Sequence, residues 1–130
     1  MSLTAEEKRI RKVVNERVNK WRRMLGLGLW KIEVCLVYSI DCETPSLNTL
    51  AQCTATWQYR LITIEVNLHE ALTQSDEDLE KMVIHELCHA LVCEMRENDP
   101  DSKHEERVVT GLTDAFWYVK HWNETNKAGK

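Results

Sequence analysis

Several features that would place the chain in a special class are missing from its sequence. The five cysteines form an odd set without a Cys-x-x-Cys pair, which argues against a disulfide framework and favours free thiols in a reducing compartment. No apolar segment follows the first basic residues, as it would in a secretory signal, and no run approaches the roughly 18 apolar residues of a membrane span. Internal repeats and low-complexity tracts are also missing. We therefore expect a soluble cytoplasmic protein.

Length and composition fit one compact domain. With 130 residues, 43% of them hydrophobic, the chain can bury a core of its own but is short for two domains. We predict a single domain over residues 1–130.

Charge is distributed unevenly, although the net charge of −4 by itself gives no reason to expect a nucleic-acid partner. Residues 1–31 contain nine basic and three acidic side chains, whereas residues 32–130 carry a net charge of −10. The basic segment is either an ordinary solvated helix face or a patch that recruits an anionic partner such as DNA, with Arg11, Arg22 and Arg23 as candidate contacts. The sequence leaves both interpretations open.

Hydrophobic periodicity predicts an α+β fold. Apolar residues spaced by three and four favour an amphipathic first helix, and alternating residues favour strands. Ser75 followed by Asp78 is typical of a helix start. The predicted elements are a helix over residues 4–25, strands over 30–38, 50–59 and 61–68, a loop over 41–48, a helix from 76 to about 95 and a last helix from about 102 to 122. The expected sheet is small, three-stranded and mainly antiparallel.

The segment Val83–Leu91, VIHELCHAL, places two imidazoles and a carboxylate inside an apolar run. On a helix, His85 and His89 are one turn apart and face the same way, so both can bind one metal ion. Zinc is the expected ion, because it accepts imidazole ligands in tetrahedral geometry. Glu86 follows at about 100° around the helix, where it lies beside the ion and can take a proton from metal-bound water.

An alternative is that these residues are core histidines paired with Glu86 and nearby carbonyls. Burying two imidazoles and a carboxylate without a metal costs roughly several kcal/mol unless every polar atom has a partner. The metal-binding interpretation is therefore preferred.

A zinc site needs a third protein ligand, and the segment KHEERVVTGL offers candidates. His104 comes fifteen residues after His89, at the first turn of the last helix. Glu105 lies on nearly the same helical stripe. We favour His104 as the third ligand, with Glu105 as the alternative and Glu106 as a further one.

The order of these elements, with HELCHAL (His85–Leu91) and HEERVV (His104–Val109), resembles the minimal zincin metallopeptidases of the SprT-like kind. It is also similar to short predicted metallopeptidases carried by phages and prophages. The resemblance covers roughly residues 20–118 and implies a zincin-like fold with one Zn²⁺ ion. SprT-like proteins use a third histidine at similar spacing, which corresponds to His104, whereas gluzincin-type relatives use a glutamate, which corresponds to Glu105.

The resemblance implies hydrolysis of peptide bonds in a protein or peptide substrate. Glu86 would be the general base toward zinc-bound water, and the substrate would lie extended along an edge strand within residues 51–59. Three hypotheses follow: a zinc-dependent endopeptidase, a DNA-associated protease recruited by the basic first helix, and a non-catalytic module in which zinc only stabilises a small core.

Overall fold

The computed structural model describes residues 5–37, 50–93 and 102–128, and in the last range the side chains of residues 105–122 and 124. The predicted loop over 41–48 and the predicted helix end near Met95 lie outside these residues. Among the helices of these ranges, none combines the length and the apolar composition that a bilayer crossing requires.

The first helix, α1 (Ala5–Met24), forms because its apolar residues recur on one face. That face is buried, and its buried members are Ile10, Val13, Val14, Val18 and Trp21. The chain leaves the helix at Gly26, whose φ of +76° is a left-handed conformation that glycine adopts without strain. This confirms the predicted helix over 4–25 and its glycine end.

Three strands form one sheet, namely β1 (Lys31–Val37), β2 (Ala51–Thr56) and β3 (Leu61–Asn67). β2 and β3 form a hairpin at the predicted strands over 50–59 and 61–68, joined by a 3-10 turn over Trp57–Tyr59 and by Arg60 at a φ of 51°. β3 is the central strand, and its inward residues Ile62, Ile64 and Val66 are fully buried.

The sheet is mixed, so the expectation of a mainly antiparallel sheet was wrong. β1 pairs in parallel with β3, from Lys31 opposite Leu61 to Val37 opposite Asn67, whereas β2 pairs with β3 in antiparallel fashion. Alternating burial defines which residues of a strand face the core but not the direction of its neighbour. Because the chain runs through β2 before it returns as β3, β1 and β3 point the same way.

Three helices follow the sheet, namely α2 (Leu68–Ala71), α3 (Asp76–Val92) and α4 (Ser102–Ala128). Ser75 caps α3 as predicted, since its hydroxyl accepts a hydrogen bond of 3.1 Å from the Asp78 amide. α4 extends beyond the predicted end at Trp122. Its apolar pattern fades there, but no glycine or proline stops the helix before Gly129.

α3 lies at the centre of the fold, where it contacts α1, α4 and β2. Most of its residues are buried, including the apolar side chains of Leu79, Val83, Ile84 and Leu87. A helix buried on so many sides must have a partner for each polar side chain it carries inward. α3 carries three acidic or imidazole groups of this kind, Glu80, Glu86 and His89.

Glu80 is held by a network that joins three helices. Its carboxylate is 2% exposed and forms ion pairs with Arg17 at 2.7 Å, Lys120 at 3.0 Å and Lys20 at 3.4 Å. The indole nitrogen of Trp21 donates a further hydrogen bond of 3.0 Å. Burial disfavours the charged form of Glu80, but the bonds from Trp21 and Lys120 and the nearby lysine charges together lower its pKa.

We predict that Glu80→Ala lowers the free energy of unfolding by about 3–5 kcal/mol near neutral pH, because it leaves cations without their buried counterion. Since the folded-state pKa lies below the ordinary 4.5, the stabilisation is present above pH 4.5 and is lost as the pH falls further. Urea denaturation at several pH values measures both effects. Glu16→Ala, at an exposed position of α1, serves as the control and should change stability by less than about 0.5 kcal/mol. A Glu80→Ala loss that persisted unchanged at pH 3 would contradict this explanation.

Candidate metal centre

The second half of α3 presents two imidazole rings to the start of α4. The rings of His85 and His89 lie one turn apart, with centroids separated by 5.1 Å and planes inclined at 73°. His85 is partly exposed and His89 is almost fully buried. As the helical spacing predicts, both rings reach the same place.

Glu106 on α4 completes a cluster with these two rings. One of its carboxylate oxygens lies 2.9 Å from Nε2 of His89 and the other lies 3.4 Å from Nε2 of His85. One ligand atom from each of the three residues falls within 4.8 Å of the others. Ligands about 2.0–2.1 Å from a tetrahedral zinc ion are about 3.3 Å apart, which is close to these two distances. Hydrogen bonds between an imidazole and a carboxylate have a similar length.

Glu105, the neighbour of Glu106, contacts the other nitrogen of the same imidazole. Its Oε2 lies 2.7 Å from Nδ1 of His89. A carboxylate accepts hydrogen bonds, so Nδ1 is the donor in this contact and Nε2 is the nitrogen that faces Glu106. Nε2 and the Glu106 oxygen, 2.9 Å apart, are held together either by a proton on Nε2 or by a cation bound to both. Two imidazoles and a carboxylate are a donor set that suits Zn²⁺.

His85 is also held in the neutral form that a metal ligand requires. Burial lowers its pKa, and the neighbouring His89 acts in the same direction, against the opposing charge of Glu106. A neutral imidazole keeps a lone pair available for a metal.

Glu86 is buried, with 6% of its surface exposed, yet no described residue forms an ion pair or a hydrogen bond with its carboxyl group. Burial, followed by the negative charge of Glu106, raises its pKa to about 8, and no hydrogen bond from the described residues opposes this rise. This value belongs to the metal-free protein, since a divalent cation at His85 and His89 would favour the carboxylate and lower the pKa.

A cleft of about 400 Å³ opens next to His85 and Glu86. It lies between the first part of α3, the middle of α4 and the start of β2. Leu50 and Ala51 form its β2 side, and Thr113 and Asp114 are on its α4 side. The cleft therefore joins the candidate metal centre to an edge strand of the sheet.

The four described cysteines, Cys35, Cys53, Cys88 and Cys93, form no disulfide with one another; Cys42 lies outside the described residues. Burial raises the pKa of Cys88 to about 11, and a hydrogen bond involving Thr113 acts weakly against this. Because zinc binds the thiolate, the neutral thiol of Cys88 is a poor ligand despite its position next to His89.

The structure brings the predicted residues His85, Glu86 and His89 to one place. The side chain of His104, the predicted third ligand, lies outside the described part of the structure. Glu105, the predicted alternative, lies on the Nδ1 side of His89, opposite the side where Glu106 meets both rings.

Glu106, the further alternative, is the residue of α4 that meets both rings. Val108 is 37% exposed, whereas Val109 and Thr113 are buried. Glu105 and Glu106 precede Val109 by four and three residues, so both lie on the side of α4 that faces α3. The buried side of α4 could have been found from the stripe of Val109, Thr113 and Phe116.

We predict that the stability of metal-free protein, prepared with a chelator, depends on Glu86 in a pH-dependent way. A carboxyl whose folded-state pKa is raised to about 8 holds its proton in the folded protein between pH 4.5 and 8 but releases it on unfolding. Stability therefore falls as pH rises through this window. Glu86→Gln removes this loss and should be more stable than wild type at pH 8 by on the order of a few kcal/mol.

Urea denaturation at pH 5, 6.5 and 8 measures the difference, with Glu16→Gln at an exposed position of α1 as the control that should follow wild type. A difference between Glu86→Gln and wild type that stays constant across the three pH values would show that Glu86 is not buried as described.

No protein-family model, curated protein or solved structure matches the chain. The function must therefore be argued from the geometry of the cluster, the cleft and Glu86.

Proposed function

We propose that the protein is a zinc-dependent metallopeptidase with a zincin-like fold, in which His85, His89 and Glu106 bind the metal and Glu86 is the general base. The observation that carries the proposal is the convergence of both Nε2 atoms and the Glu106 carboxylate within 4.8 Å, beside a buried glutamate with a raised pKa. Three protein ligands leave a tetrahedral ion one open position, which is the arrangement of catalytic zinc sites.

Zinc bound by these residues would acidify a water molecule and polarise the carbonyl of the scissile peptide bond. Glu86 then accepts a proton from the attacking water and returns it to the nitrogen of the leaving amine. Because the Glu86 carboxyl group is buried, bulk water is kept away from the proton that it has accepted. Its position one residue after His85, on a rigid helix, keeps the carboxylate next to the ligands without competing with them.

We place the substrate-binding site of this proposal along the edge of β2. This strand pairs with β3 on one side only, and its other edge has no strand partner among the described residues. Its neighbour Leu50 and its first residue Ala51 border the same cleft as His85 and Glu86. An extended peptide that adds to this edge by backbone hydrogen bonds would bring one of its peptide bonds into the cleft.

The non-catalytic alternative, zinc as a structural ion, leaves Glu86 without a role. A closed structural site needs four protein ligands and no buried base. A second buried glutamate of the same helix, Glu80, is fully paired with cations, so the fold does satisfy a buried carboxylate when its role is structural.

Fewer basic side chains of the first helix are available to contact DNA than its net charge suggested. Arg22 donates hydrogen bonds to the carbonyls of Gly28 and Trp30, and so helps to fix the turn after α1. Arg17 and Lys20 pair with Glu80. Of the three arginines expected to contact DNA, Arg11 and Arg23 remain as exposed candidates.

We predict that Glu86→Gln binds zinc as wild type does but cleaves an unfolded protein such as casein about 10²–10⁴-fold more slowly, because the amide cannot accept the proton. Zinc content after gel filtration and release of acid-soluble peptides measure the two properties. Glu16→Gln is the matched control and should retain activity. If zinc-loaded wild type and Glu86→Gln are equally inactive while a chelator unfolds both, the structural-zinc alternative is correct.

We also predict which residue of α4 completes the metal centre. Glu106→Ala should lose stoichiometric zinc, because it removes the carboxylate that meets both rings, whereas His104→Ala should keep it. Elemental analysis of each purified variant after dialysis decides between them. Loss of zinc from His104→Ala together with retention by Glu106→Ala would transfer the third-ligand role to His104 and leave the roles of His85, His89 and Glu86 unchanged.

A further inference from the structure

The contact between Glu105 and His89 is the best-buried polar contact of the metal centre. The two side chains are 13% and 10% exposed, and their atoms are 2.7 Å apart. In contrast, the side chain of Glu106 is 55% exposed. A short contact between a carboxylate and an imidazole N–H in such surroundings is stronger than the same contact in water.

Glu105 and Glu106 approach opposite nitrogens of one ring. Nδ1 meets Glu105, and Nε2 meets Glu106 at 2.9 Å. An imidazole ring that hydrogen-bonds through Nδ1 can neither rotate about its χ2 axis nor exchange its tautomer without breaking that bond. Glu105 therefore holds the orientation of the ring and leaves Nε2 as the nitrogen that faces the cluster.

We propose that Glu105 is a positioning residue that orients His89 for zinc and increases its basicity as a ligand. The inference rests on the metal centre of the proposed function, and it holds whether Glu106 or His104 is the third ligand. It assigns Glu105 to the outer shell of the site, where a carboxylate bound to a ligand histidine strengthens metal binding.

The contact differs from an ordinary ion pair between helices. A purely structural pair would stabilise the packing of α3 against α4 and would leave the zinc affinity of the folded protein unchanged. A positioning residue changes that affinity even where the folded state is fully populated. The two roles therefore separate in a binding measurement made well below the unfolding transition.

The experiment compares zinc dissociation constants of wild type, Glu105→Ala and Glu105→Gln, by competition with a chromogenic chelator at pH 7.5. Glu105→Ala should bind zinc about 10–100-fold more weakly. Glu105→Gln should show a smaller loss, because its amide oxygen still accepts the Nδ1 proton without the negative charge. Glu124→Ala, on the same helix with a side chain 60% exposed, is the control and should bind as wild type does.

A second readout reports on the ligand field without any activity measurement. Cobalt(II) substituted for zinc should show a shifted visible absorption band in Glu105→Ala and an unshifted band in Glu124→Ala, because the His89 ring is no longer held in one orientation. Glu105→Gln keeps the shape of the side chain, so it supplies both readouts if the alanine variant does not fold.

The outcomes distinguish this inference from the proposed function. If wild type binds no zinc, the proposed function and this inference both fail. If wild type binds zinc and the Glu105 variants bind it equally well, only the positioning role fails. If Glu105→Ala retains no zinc at saturating metal while Glu106→Ala binds normally, Glu105 is itself a ligand and the outer-shell role is overturned.

Discussion

The packing of α4 against the second half of α3 determines where the polar groups of the candidate metal centre lie. α3 supplies His85, Glu86 and His89, and the first turns of α4 bring Glu105 and Glu106 to the His89 ring. The buried stripe of Val109 and Thr113 fixes the rotation of α4 about its own axis, and so brings these two carboxylates to His89.

α3 contains two buried glutamates whose environments are opposite. Glu80 meets three cations and an indole N–H, and its pKa is lowered. Glu86, six residues later on the same helix, meets none of these, and burial raises its pKa to about 8. An unpaired buried carboxylate costs free energy that packing alone does not explain. Strongly shifted carboxyl groups are common at functional sites, and this supports the proposal that Glu86 is the general base.

Much of the fold and part of the site could be predicted from the sequence. The helices and the hairpin follow from local periodicity and from glycine and serine at element ends, as at Gly26 and Ser75. The parallel pairing of β1 was missed because strand direction depends on the path of the chain, which local alternation does not encode. The segment HELCHAL indicated three residues of the candidate site, because their spacing lies within one helix. The sequence did not determine which residue of α4 would complete the site. Val108 and Val109 are adjacent, so the sequence alone does not indicate which of them faces the core, and only contact with α3 decides this.

The ion pair of Lys120 with Glu80 has a consequence for the distant end of α4. Lys120 also lies over the Trp117 ring at 4.7 Å, and it is fourteen residues from Glu106, which is about 21 Å along the helix axis. If α4 behaves as a rigid helix held at Lys120, a small tilt there produces a larger displacement at Glu106. Substitutions at Arg17 or Lys20, which share the Glu80 anchor from α1, can thus move a carboxylate that they never touch.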